Sequence, residues 1–72
     1  MRYFIAKGPL KRFGYKWIYS YYKGFPGNRA EVVRFYSDGR IVNDTIVRLS
    51  PEFVRNFCQE ITEEEYESML EL

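Results

Sequence analysis

From Phe13 to Tyr21 an aromatic ring stands at every second position: Phe13, Tyr15, Trp17, Tyr19 and Tyr21. No helix holds such a series on one face, because helical side chains return about every 3.6 residues and strand side chains alternate. The stretch from Phe13 or Tyr15 to Tyr22 therefore reads as a β-strand, and the rest of the chain has to supply its neighbours.

Those neighbours are signposted by turn residues. "RYFIA" with Lys7 reads as a first strand, stopped by Gly8-Pro9, and "GPLKRFG" as the loop that follows. In "GFPGNR", Pro26 presets the first central turn position and Gly27 supplies the positive φ that a type II turn needs next. "AEVVRFY" is a third strand, and "SDGR" after it is a hairpin signal. "RIVNDTIVRL" returns as a fourth strand, with apolar residues changing face at Asn43-Asp44, where a bulge or second turn is expected.

The composition then turns helical. Ser50 is placed to cap a helix whose first residue is Pro51, and Phe53, Phe57 and Ile61 recur at a spacing of four. This predicts a helix from Pro51 to about Gln59, with "CQEI" as a brief strand as the alternative. Thr62 and Glu65 form a capping-box pattern flanked by Ile61 and Tyr66 in staple positions, so a last helix should span Glu63 to about Glu71. The expected architecture is α+β: a small antiparallel sheet of three to four strands followed by two short C-terminal helices packed on one face. No linker or repeat divides it, so residues 1–72 read as a single domain.

A 72-residue chain hides only about 60% of the surface its unfolded form exposes, and small domains usually compensate with disulfides, metals or partners. Cys58 is the sole cysteine and histidine is absent, which excludes an internal disulfide and a zinc site of the usual kind. A dense aromatic core, oligomerisation or both remain, and seven Tyr, six Phe and one Trp supply the material. No apolar run is long enough to span a bilayer, and "RYFIA" is too short for a signal-peptide core. With one unpaired thiol, this gives the expectation of a bacterial-type cytoplasm and no membrane.

Catalysis finds little to work with. Without histidine, neither Cys58 nor Ser20, Ser37, Ser50 or Ser68 has an imidazole to activate it, and no phosphate-binding glycine pattern occurs. Glu63, Glu64, Glu65 and Glu67 sit where acids stabilise the positive end of a helix. No catalytic residue, metal site or cofactor is expected, so the chain reads as a non-enzyme.

Charge is divided along the chain. Residues 1–30 carry Arg2, Lys7, Lys11, Arg12, Lys16, Lys23 and Arg29 and no acid, while all ten acids lie in residues 31–72 with four arginines. In the second strand, the odd-numbered face is expected beneath the helices, with Lys16 and Ser20 toward water. Tyrosine favours half-wet sites, however, and Ile18 and Tyr22 make the other face apolar too. A sheet apolar on both faces, with helices enough for one, leaves a patch for a partner to cover.

A protein partner is the first expectation, because interface centres are rich in Tyr, Trp, Phe and Arg. The chain would then be an inhibitor, adaptor or accessory protein, including the small antagonists that phages and mobile elements direct at host systems. A homodimer is also open. The alternative is single-stranded nucleic acid, with rings stacking on bases and cations following phosphates. Either way the candidate binding residues are Lys11, Arg12, Tyr15, Lys16, Trp17, Tyr19, Tyr21, Tyr22, Lys23 and Arg29. The acidic final helix is read as solvated surface, or alternatively as a mimic of phosphates.

Overall fold

The computed structural model describes the backbone of residues 1–12 and 15–71 and the side chains of residues 1–7 and 19–71. Strands β1 (Tyr3–Arg12), β2 (Tyr15–Gly24), β3 (Ala30–Tyr36) and β4 (Ile41–Ile46) lead to helix α1 (Pro51–Phe57), strand β5 (Cys58–Ile61) and helix α2 (Glu63–Leu70). They form one five-stranded antiparallel sheet in the order β4-β3-β2-β1-β5. The α+β class stands, but the sheet has five strands rather than three to four.

The added strand is "CQEI". A helix continuing to Gln59 would have left the outer edge of β1 without hydrogen-bond partners, an expensive state for buried backbone. Instead the chain turns extended at Cys58, with φ −107° and ψ 152°, and pairs Cys58 to Ile61 with Ala6 to Tyr3.

The two helices do not share a face. Opposite residues in an antiparallel pair share a face, so Phe4, Ala6, Ser20, Tyr22, Val32, Ile46 and Cys58 lie on one side and Tyr3, Ile5, Lys7, Tyr19, Tyr21, Val33, Phe35, Ile41 and Ile61 on the other. These are called the even and the odd face. On the even face α1 brings Phe53 and Val54 against a cluster of Phe4, Ala6, Tyr22, Ala30, Val32 and Leu49. On the odd face α2 brings Tyr66 and Met69 against Tyr3 and Val33, beside Tyr21, Phe35 and Ile61. β5 explains the difference from one-sided packing, since it returns the chain to the sheet edge between the helices. A sheet apolar on both sides is thus covered once on each.

Three local expectations also change. β1 does not stop at Gly8-Pro9, and residues 8–12 are strand rather than loop, while Phe13 and Gly14 lie outside the described residues. The β1–β2 register slips by one residue between Lys7 and Leu10, and the β2–β3 register slips likewise between Trp17 and Tyr19. Proline is tolerated at bulges and on edges. Position 9 offers both, because β5 accompanies β1 only as far as Ala6.

β4 has no bulge at Asn43-Asp44, since its pairing with β3 runs unbroken from Ala30↔Ile46 to Phe35↔Ile41. The irregular apolar pattern there belongs to an edge strand with little to bury. Ser20, expected to face water, is fully buried and accepts a hydrogen bond of 3.1 Å from the Tyr22 hydroxyl. Its position beneath α1 follows from the even face being covered. Lys16, paired with it in that expectation, has a side chain outside the described residues.

The punctuation holds where signals are local. Asn28 N–H donates to Phe25 C=O at 3.0 Å across Pro26-Gly27, and Gly27 has φ +89°. Gly39 has φ +91° in the β3–β4 turn, where Tyr36 N–H donates to Arg40 C=O. Ser50 Oγ accepts from Phe53 N–H at 3.3 Å, and Thr62 and Glu65 exchange both bonds of the capping box.

Candidate functional site

β2 positions the candidate binding residues, and it separates them. Consecutive strand residues rise about 3.3 Å, so the two ends of this ten-residue strand lie roughly 30 Å apart. At one end, Lys23 and Arg29 line an open depression of about 480 Å³ together with Phe25, Glu31 and Thr45. At the other, backbone pairing sets Lys11 opposite Lys16 and Arg12 opposite Tyr15. This segment extends past the last paired residues of β3 and β5, Tyr36 and Cys58, as a two-stranded ribbon. The side chains of Lys11, Arg12, Tyr15, Lys16 and Trp17 lie outside the described residues.

Of the remaining tyrosines, the structure gives each a different environment. Tyr22 is interior: its ring meets Phe53 edge-on at 5.6 Å, and burial raises its hydroxyl above the ordinary tyrosine range, partly opposed by the bond to Ser20. Tyr21 is half-buried, with Phe35 at 5.7 Å and Tyr66 at 6.5 Å, and burial raises its hydroxyl too. Tyr19 is exposed, at 42%.

Tyr19 has company that the sequence reading did not assign. Lys7, Tyr19, Phe35 and Ile41 are successive partners across β1, β2, β3 and β4, forming one row on the odd face. Tyr66 and Met69 of α2 pack against Tyr3 and Val33, in rows nearer the start of β1, and Phe35 packs against this cluster while Lys7, Tyr19 and Ile41 stay exposed. Lys7 is exposed, Ile41 is 54% exposed and Phe35 is half-buried. One cation and three apolar side chains thus form a strip that opens toward the basic ribbon. A local signal for it existed: a hairpin centred on Asp38 in "SDGR" brings Phe35 opposite Ile41.

Ion pairs absorb only part of the charge. Arg2 grips Glu60 with two bonds, Nε to Oε2 at 3.1 Å and Nη2 to Oε1 at 2.8 Å, and Arg2 holds the Glu60 carboxyl below its ordinary range. Arg34 meets Asp44 at 3.2 Å and Arg40 meets Asp38 at 2.7 Å. On α2, Glu63, Glu64 and Glu67, with Glu71 just past its end, are exposed and take part in none of the ion pairs among the described residues.

Cys58 is half-buried on the even face beside Ala6, and burial pushes its thiol up to about 11. At neutral pH that sulfur is protonated, and the thiol is a poor nucleophile compared with the thiolate. Among the described residues, no group of three or more His, Cys, Asp or Glu is placed to hold a metal ion, and no helix is long and apolar enough to cross a membrane. The site can offer rings, aliphatic surface and positive charge, which is the chemistry of contact. Comparison with protein-family models, curated proteins and solved structures gave no match.

Proposed function

We propose that this chain is a small non-catalytic binding module that acts through protein contacts, in the manner of an inhibitor, adaptor or accessory protein. The observation that carries the reading is the odd-face row of Lys7, Tyr19, Phe35 and Ile41, in which Phe35 is half-buried and the other three are exposed. Apolar and aromatic side chains in one strip, with Lys7 at its end, match the composition of interface centres. A protonated, half-buried thiol supports the non-catalytic part of the reading, and an unpaired cysteine fits a reducing interior such as the cytoplasm.

The test is affinity capture from host extract with the intact chain and with a Tyr19→Asp/Ile41→Asp variant, after checking that both melt alike. Loss of a specific protein band with the variant is the expected result. Identical captures by the two chains would overturn the reading.

A second reading, single-stranded nucleic acid, is favoured by the ribbon that sets Lys11 opposite Lys16 in a half of the chain without acids. It predicts oligonucleotide binding at low salt that weakens steeply as salt rises. No binding at low salt would remove it.

A further inference from the structure

β4 ends the sheet, and its outer edge lacks the usual protections. An exposed edge strand offers unpaired backbone groups to any other strand, and proteins blunt such edges with lysine, proline or bulges. β4 reads Ile-Val-Asn-Asp-Thr-Ile, its pairing with β3 runs without a slip, and Ile41, Asn43, Asp44 and Thr45 are exposed. Val47, the residue after the strand, is 84% exposed. The one charge in β4 is that of Asp44.

The hairpin bond tells which backbone groups face outward. Tyr36 N–H donates to Arg40 C=O at 2.9 Å, so Arg40 turns its backbone toward β3. Such residues alternate in an antiparallel ladder, which turns Val42, Asp44 and Ile46 inward too and leaves Ile41, Asn43 and Thr45 with N–H and C=O pointing away from the sheet. One of these outward donors is already taken. Asp44 Oδ1 accepts from the N–H of Thr45 at 2.8 Å, while Arg34 Nη1 donates to Asp44 Oδ2 at 3.2 Å and steadies the carboxylate from the neighbouring strand. The two donors, Thr45 first, hold the Asp44 carboxyl below its ordinary range, so it is ionised at neutral pH.

We infer that Asp44 is a guard that keeps β4 from pairing with β4 of a second copy of this chain. An antiparallel edge strand is its own complement about a two-fold axis, so the second copy is the partner that the edge fits without any further feature. Two registers give each outward residue of β4 a partner. One, centred on Asn43, sets Thr45 against Ile41 of the second copy; the other, centred on Asp44 and reaching Val47, sets Thr45 against Asn43 of the second copy. Both need the Thr45 N–H of each copy, and in each copy Asp44 occupies it. The second register also brings Asp44 opposite Asp44, with Cα atoms about 4.5 Å apart, where like charges repel. The inference stands apart from the protein-contact reading, because it concerns the backbone of the edge and not the side chains of the odd face.

The experiment is sedimentation equilibrium of the full chain from about 10 μM to about 1 mM, with thermal melts to show that each variant folds. Asp44→Ala frees the Thr45 N–H and removes the charge, and it should self-associate at least about tenfold more tightly than the parent. Asp44→Val, which puts a β-branched residue in the strand, carries the same expectation should alanine loosen β4. Adding Thr45→Pro removes an outward N–H without touching the ladder to β3, and should return association to the parent's level. In the Asp44→Ala dimer, amide exchange at Asn43 and Thr45 should slow by at least about tenfold relative to dilute monomer. Association of both Asp44 variants no tighter than the parent's overturns the inference. A dimer that persists in the folded Thr45→Pro variant, or one whose Asn43 and Thr45 amides exchange as fast as in the monomer, overturns it as well.

Discussion

The two faces of the sheet receive helices of nearly equal length and use them differently. On the even face the residues are small or tightly enclosed: Ala6, Ala30 and Val32 are almost wholly buried, and the buried hydroxyls of Ser20 and Tyr22 are bonded to each other. The odd face is built mostly from tyrosines and residues with some remaining exposure: Tyr3, Tyr21 and Tyr66 around Val33 and Met69, with Tyr19 left outside. The contrast separates two uses of aromatic area, one holding the fold together and the other leaving surface for contact. A short chain with many rings can do both only if the rings divide between faces.

The sharpest way to break this contrast is to truncate one ring on each side. Phe4→Ala removes a side chain that is 2% exposed in the even cluster, and the expected loss in a denaturant titration is about 3–5 kcal/mol. Tyr19→Ala, on the open row, should stay within about 0.5 kcal/mol of the parent. Equal losses would mean that the odd-face row is as interior as the even cluster.

A finer test concerns the buried hydroxyl pair. Tyr22→Phe leaves Ser20 without its donor, and Ser20→Ala leaves the Tyr22 hydroxyl without its acceptor, each expected to destabilise by about 1–3 kcal/mol. The double variant should lose less than the sum of the two, because neither group is then left unmatched. Strict additivity, measured by chemical denaturation, would show that the 3.1 Å bond contributes nothing.

The smallest effect is read at high pH. Cys58 ionises near 9.0 ordinarily and at about 11 in the folded chain, so its contribution to stability is fully present below about pH 9 and fades as pH rises through 11. Burial raises Tyr22, Tyr21 and Tyr66 in the same direction. Thermal melts should therefore fall on the alkaline side, and alkylation of Cys58 at pH 8 should be slower than that of a free thiol. A thiol as reactive as free cysteine would contradict its placement beneath α1.

These tests also mark what could be read from the residues. Pro26-Gly27, Asp38-Gly39, Ser50-Pro51 and Thr62 with Glu65 each specify a backbone conformation within four residues, and each is found where its chemistry puts it. β5 was legible only as an alternative, because a four-residue strand with two exposed positions is fixed by the open edge of β1, more than fifty residues away. The opposite placement of the helices was hidden for the same reason. Gly8-Pro9 misled because a proline stops a central strand but suits a bulge where the strand has lost its outer neighbour.

The candidate site divided along similar lines. Tyr19 is on the surface, but Tyr22 proved interior once α1 covered the even face, and Lys23 and Arg29 gather at the end remote from Lys11, Arg12 and Lys16. Period-two alternation identifies faces but cannot say which face is covered. The slip between Trp17 and Tyr19 also means that the aromatic series does not run in one unbroken register.

The pairing of β5 with β1 has a kinetic side as well. Strands β1 to β4 follow one another in simple hairpin order, and their contacts can form soon after each strand is made. The outer edge of β1 waits for residues 58 to 61, and Arg2 waits for Glu60. Loop closure over that distance is slow relative to a hairpin. On a ribosome, the four-strand meander would thus stand for a time with an unsatisfied edge at its first strand, the state most open to pairing with a neighbouring nascent chain. The segment "CQEI", four residues of modest hydrophobicity, then acts as the stopper that ends this exposure.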